Sequence, residues 1–188
     1  SEFVPGYPFF RIKTNVWRIQ YNVWYTWMYD VTTANGTKNN FRNKFGTFHY
    51  LSYNIIKELN VGLFENVVWR GTDTNQVRNF DVNYLNPVIF YRPVEYSLGS
   101  PDNSFIGLNL NATVFKKIKL YGQIALDEFL LKEIRARRGW WANKQGWQLG
   151  GKYINAFGIK GLKLQVEYNE VRPFTYSHGK VDQNYGHY

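Results

Sequence analysis

The chain has no cysteine, one methionine and six prolines in 188 residues. The missing cysteine removes disulfides, thiolate nucleophiles and cysteine metal sites together, and is silent on compartment because many exported proteins also lack it. No apolar run reaches roughly 18 residues, which excludes a membrane-spanning helix but not a membrane β-barrel, whose signal is weak alternation. Acidic residues are in the minority, 14 against 23 Lys and Arg, for a formal charge of +9. That excess suits an anionic partner: nucleic acid, an acidic polysaccharide or the phosphate-rich face of an outer membrane. The first residues, SEFVPGYPFF, lack the charged head, apolar segment and cleavage site of an export signal, so the chain reads as mature or as a piece of something larger. No linker or shift of composition divides it, and residues 1–188 read as a single unit.

Aromatic residues are abundant: 15 Tyr, 14 Phe and 7 Trp make up 19% of the chain. In WRIQYNVWYTWMYD the odd positions from Trp17 to Tyr29 are apolar or aromatic, while Arg18, Gln20, Asn22, Thr26 and Asp30 are polar. Alternation with period two is the mark of a strand with one covered face. From Trp17 to Trp27 is about 33 Å of strand, which at a tilt near 45° projects to about 23 Å, close to the apolar band of a membrane barrel.

Similar segments recur at 17–29, 45–55, 61–70, 105–115, 119–129, 146–156 and 161–172, giving about seven strands. Their connections alternate between short (IIKELN, FKKIK, AFGIKG) and long and polar (31–44, 71–104 and KEIRARRGWWANKQ). Brief turns at one rim and long loops at the other characterise an up-and-down outer-membrane β-barrel. Parity agrees, because Ile106, Leu108, Leu110 and Ala112 oppose Gly107, Asn109, Asn111 and Thr113, and Leu164, Val166 and Tyr168 oppose Lys163, Gln165, Glu167 and Asn169. The expected fold is therefore all-β: an antiparallel up-and-down outer-membrane barrel, present here in part. The wetted interior is assigned to Arg18, Gln20, Asn22, Lys163, Gln165 and Glu167. A soluble calycin-like barrel or sandwich with the rings inside is the alternative.

Catalysis has no positive sign. Asp127 and Glu128 are adjacent and so point to opposite faces of a strand. His49, His178 and His187 are the only imidazoles, and His178 and His187 with Asp182 between them match no zinc spacing. No G-x-S-x-G elbow occurs. No enzyme activity, metal or cofactor is expected. The richer constellation is RARRGWWANKQGW, where Arg135, Arg137, Arg138 and Lys144 interleave with Trp140, Trp141 and Trp147. Guanidinium forks grip carboxylates or phosphates and indoles stack on sugar rings, so this loop reads either as an acidic-glycan contact or as an interface girdle meeting lipopolysaccharide. No nucleic-acid recognition motif accompanies it. In the segment from Gly71 to Ser104, Pro87 and Pro93 forbid a regular helix and the apolar content exceeds that of a solvated loop. It is expected to plug, constrict or cap the lumen, with Arg92 and Glu95 as an ion pair inside.

Four stretches, FDVNYLNPVIFYRPVEYSLGSPDNSFIGLNLN, LYGQIALDEFLLKEI, RRGWWANKQGWQLGGKY and VEYNEVRPFTYSHGKVDQNYGHY, give the chain from about Phe45 onward a family likeness. It resembles the Bacteroidota gliding-motility RemB-like outer-membrane proteins, within the broader capsule-assembly Wzi-like β-barrel family. The likeness is specific at NPVIFYRPVEYSLGSPDN and RPFTYSHGKVDQNYGHY and loose in the strands. It implies an outer-membrane barrel of many antiparallel strands in a Gram-negative bacterium, of which this chain would hold less than half. It further implies a part in surface polysaccharide (capsule) attachment or in adhesion during gliding. The amino-terminal helical portion of the capsule-associated member has no counterpart here. Outer-membrane lipid, lipopolysaccharide and an acidic surface polysaccharide are the partners expected; a general diffusion channel is a further alternative.

Overall fold

The structure, a computed structural model, describes residues 6–30, 42–73, 76–77, 79–89, 102–127, 144–173 and 175. Ten strands run in chain order: β1 (Phe9–Val16), β2 (Ile19–Asp30), β3 (Arg42–Ile56), β4 (Leu59–Arg70), β5 (Thr72–Asp73), β6 (Gln76–Val77), β7 (Asn103–Val114), β8 (Ile118–Asp127), β9 (Lys144–Ile154) and β10 (Lys163–Val171). Eight of them form one sheet in the order β1-β2-β3-β4-β7-β8-β9-β10, with β5 and β6 a small separate hairpin. Every pair in the large sheet is antiparallel, as the short connections, too brief for a crossover, require of the strands they join. The sheet is open, an up-and-down wall of a partial β-barrel.

The sheet has eight strands where the alternation indicates seven. The additional one is β1, and the segment read as a strand from Trp17 begins at Ile19, because Trp17 and Arg18 form the turn between β1 and β2. Trp17 sits at φ 51°, a left-handed conformation that two-residue hairpins demand and that Asn, Asp or Gly usually supply. Arg18 braces the turn: its Nη1 donates to the Ile55 carbonyl at 2.8 Å and its guanidinium lies 5.1 Å from the Trp17 ring centroid.

The other short connections fall where expected, at 57–58, 115–117 and 155–162, so all four tight turns share one rim. Three of them project an aromatic ring outward, Trp17, Phe115 and Phe157, each about four-fifths exposed. The opposite rim receives the long connections.

Two clusters hold the wall. On one face Phe64, Phe105 and Ala125 pack with Tyr50. On the other Phe45, Val67, Trp69 and Tyr84 pack with Phe80. Phe80 and Tyr84 belong to the connection between β4 and β7, which therefore folds back onto the sheet.

Candidate functional site

Cross-strand register fixes which residues share a face. One row reads Asn15, Gln20, Ser52, Gly62, Asn109, Gln123, Gln148 and Asn169 across all eight strands. Six of its eight members are amides. The opposite face carries Tyr21, Leu51, Leu63, Leu108, Ile124 and Trp147 in a neighbouring row. The row ends in Thr14 on β1 and Glu170 on β10, so the wall has a polar face and one that is apolar between its margins.

The polar face is the inner one, because side chains there meet across an intervening strand. Tyr50 of β3 reaches Asn109 of β7 over Gly62 of β4, with the Tyr50 hydroxyl 3.3 Å from Asn109 Oδ1 and Asn109 Nδ2 donating back at 3.2 Å. Tyr121 of β8 reaches over Gly150 of β9 to donate its hydroxyl proton to Glu167 of β10, while Gln165 Nε2 donates to the same hydroxyl at 3.0 Å. Glycine is required at these crossings. A Cβ on Gly62 would collide with Tyr50 and Asn109, one on Gly150 with the Tyr121 ring, and one on Gly107 with the Phe64 ring. Rings lying over glycines of the next strand cover backbone that a flat sheet would leave bare.

Toward the long-loop rim this face holds a cleft of about 710 Å³ that reaches from β1 to β8. Its rings are Tyr7, Phe9, Trp24, Phe48, Tyr50, Phe64 and Phe105, His49 of β3 also borders it, and Asn66, Asn109 and Gln123 supply amides. Phe64 and Phe105 stack at 6.1 Å, fixing the floor. Arg11, at the border, lays its guanidinium 4.9 Å from the Trp24 ring centroid and donates to Asn22 Oδ1 at 2.7 Å, which locks the indole against the wall. None of the described residues lining the cleft is Asp, Glu, Lys or Arg. This constellation offers stacking faces and neutral donors and acceptors.

The apolar face is of two kinds. Over β7–β10 it is mainly aliphatic and bare, with Trp147, Tyr168 and Glu170 toward the long-loop rim: Leu108, Leu110, Leu120, Ile124, Leu149, Leu164 and Val166 are all exposed. Over β2–β4 it carries Thr47, His49 and Glu65, and these are buried, 2% exposed or less. His49 and Glu65 are register partners across β3 and β4, and the Tyr21 hydroxyl lies 2.5 Å from His49 Nδ1. Beside them residues 79–89 run as a strap. Phe80 packs within 6.4 Å of the Tyr25, Trp27, Phe45 and Trp69 rings, Tyr84 lies 4.5 Å from Trp69, Tyr25 donates to the Leu85 carbonyl at 2.9 Å, and Thr47 donates to the Tyr84 carbonyl at 3.2 Å. The Tyr84 hydroxyl donates to Asp102 at 2.7 Å, pinning the strap to the start of β7. The strap contains a short 3-10 turn, Val82–Leu85, that ends before Pro87.

The expectation that the segment from Gly71 to Ser104 plugs, constricts or caps the lumen falls, for residues 90–101, outside the described residues, and residues 79–89 do not enter the lumen. They cover the outer face. The reason is polar chemistry, since Thr47 and the Tyr25 hydroxyl find backbone carbonyls in the strap, and the two large indoles Trp27 and Trp69 find Phe80.

Of the other residues singled out from the sequence, Gln20, Asn22, Lys163, Gln165 and Glu167 share the polar face. Arg18 does not line it; it is a turn residue at the rim, for the hairpin reason given above. Lys144 is no loop contact either. It opens β9 on the inner face, 5% exposed, in register with the fully buried Asp127. Trp147 falls on the outer face and stacks 5.0 Å from Tyr168. Arg92, Glu95, Arg135, Arg137, Arg138, Trp140, Trp141, Glu128, His178, Asp182 and His187 lie outside the described residues. The rings of the cleft escaped the sequence reading, although Trp24, Phe48, Tyr50 and Phe64 all stand on the polar parity of their strands, an anomaly that marks them. No family model matches this chain, and neither the curated proteins nor the solved structures contain one similar to it.

Proposed function

We propose that this chain forms part of an outer-membrane β-barrel in a Gram-negative bacterium, a non-catalytic protein of surface polysaccharide (capsule) attachment or gliding-associated adhesion. The observation that carries the membrane reading is the bare aliphatic half of the outer face. Leu149 is 57% exposed, Ile124 50%, Leu120 46% and Val166 77%, on a sheet whose other face is lined with amides. Water-soluble monomers rarely expose contiguous apolar surface of that extent, whereas hydrocarbon covers it without cost. Trp17, Phe115 and Phe157 at the short-turn rim add the aromatic border expected at a membrane interface.

Support for a carbohydrate role comes from the ring-and-amide composition of the inner face and from the net charge of +9. The cationic loop at Arg135, Arg137, Arg138, Trp140 and Trp141 is the proposed contact for an acidic surface polysaccharide or for lipopolysaccharide phosphates. Two experiments test the reading. Fractionation of cells expressing the full-length protein is expected to place it in the detergent-soluble outer-membrane fraction, and a deletion strain is expected to shed surface polysaccharide or lose adhesion. Recovery of folded monomer from the periplasm or medium without detergent would favour a soluble sugar-binding barrel instead, and large single-channel conductance without a glycan phenotype would favour a diffusion channel.

A further inference from the structure

We infer that the cleft on the inner face between β1 and β8 is a binding site for an uncharged carbohydrate chain. The inference rests on the glycan-handling reading above and goes beyond it by assigning a second site, chemically unlike the cationic loop.

Three observations converge. First, charged residues make up 20% of the chain, yet the thirteen described residues that line the cleft include no Asp, Glu, Lys or Arg. An acidic sugar would bring its carboxylate among lining residues that offer no cation, since Arg11 at the border is already laid on Trp24 and bonded to Asn22. Second, Trp24, Phe48 and Tyr50 stand half-buried along one wall. The C–H faces of a pyranose stack on such rings, while an acyl chain would leave the amides beside them unsatisfied. Third, Asn66, Asn109 and Gln123 rise from β4, β7 and β8 on the other wall. A primary amide both donates and accepts, which matches the dual character of a sugar hydroxyl. The Tyr50–Asn109 bonds over Gly62 hold one such group in place before any ligand arrives.

The volume fits a short oligosaccharide, since about 710 Å³ lies within the usual range of 300–1,000 Å³ for small-ligand sites. A nucleic acid strand could use the rings but would find no partner for its phosphates among the cleft residues. The amide row that continues past the cleft through Gln148 and Asn169 gives a longer chain a path along the wall.

The test is binding to the full-length protein in detergent or nanodiscs, by calorimetry and tryptophan fluorescence. The neutral probes are maltoheptaose, cellohexaose, chitohexaose and mannohexaose, and the acidic probe is polygalacturonate. At least one neutral probe is expected to bind with an affinity that a tenfold rise in salt leaves unchanged. Trp24→Ala and Gln123→Ala are each expected to weaken it about tenfold, and Trp24→Phe to restore most of the loss. Gln123 is exposed, so its variant keeps the test valid if Trp24→Ala fails to fold. Neutral binding that survives both alanine variants overturns the assignment of the cleft. If polygalacturonate alone binds, in a salt-sensitive way and equally to the variants, the cleft inference falls and the surface-polysaccharide reading stands. If no probe of either charge binds, both fall.

Discussion

Tyr50 and Asn109 stand on β3 and β7, with a whole strand between them, and still exchange two hydrogen bonds, because Gly62 in that strand has no side chain to part them. The pair joins the ring wall of the cleft to its amide wall, and it makes a glycine responsible for contacts between its neighbours. Gly62→Val is therefore expected to push the two apart and to lower stability by about 1–3 kcal/mol, the usual cost of forcing extra methyls into a filled site. Tyr50→Phe, which keeps the ring and loses only the hydrogen bonds, should cost about 1 kcal/mol. Urea unfolding of the protein in detergent, followed by gel-mobility shift, measures both; equal stability of Gly62→Val and wild type would show that the crossing is slack.

The absence of native cysteine allows the faces to be mapped one residue at a time. In cells or proteoliposomes, Gln165→Cys and Glu167→Cys are expected to react with a membrane-impermeant maleimide, and Leu164→Cys and Val166→Cys to resist it. Reaction of the second pair with protection of the first would invert the wall and place water on the aliphatic side.

Strap attachment depends on one ring above all. Phe80 is the common neighbour of Tyr25, Trp27, Phe45 and Trp69, and Phe80→Ala is expected to cost about 2–3 kcal/mol, somewhat less than for a fully buried phenylalanine. It should also open residues 79–89 to limited proteolysis while leaving the strands intact. Tyr84→Phe, which removes only the bond to Asp102, should cost about 1 kcal/mol and leave the cleavage pattern unchanged.

Beneath the outer face, Tyr21→Phe would leave His49 without the hydroxyl that meets its Nδ1. A loss of about 1–2 kcal/mol is expected, because His49 is 1% exposed and cannot turn to water for a substitute. The same unfolding assay checks it, and a neutral outcome would mean that the imidazole bonds elsewhere without strain.

How much of this was legible in the sequence differs by element, for physical reasons. The faces of β7 and β10 were plain, since Ile106 to Ala112 and Lys163 to Asn169 alternate without a break and a strand's period of two admits one interpretation. The start of β2 was not. Trp17 and Arg18 carry none of the usual turn residues, and Trp17 continues the aromatic parity of Ile19 and Tyr21, so the hairpin was hidden inside an unbroken pattern. β1 stayed hidden with it, because Phe9 and Phe10 are consecutive and blur its alternation. The strap could be recognised as packed but not assigned a side: Phe80 and Tyr84 point into the sheet while Val82, Leu85 and Val88 are exposed, leaving apolar residues on both of its surfaces. The deciding clue lay elsewhere, in His49 and Glu65 on the apolar parity of their own strands, side chains that are costly to leave among apolar neighbours without cover. The cleft was similarly encoded as rings out of place, at Trp24, Phe48 and Phe64 among amides.

The strap has one more implication. Its backbone between Asn79 and Ile89 is irregular, and acyl chains do not tolerate peptide groups lacking the closed hydrogen bonding of a helix or barrel. If hydrocarbon bathes the naked flank up to Leu126, it must stop lower on the other side, beneath Tyr25 and Trp69. Lipid around such a barrel would form a stepped collar, thinner under the strap than opposite it, and the molecule would float with a preferred lean.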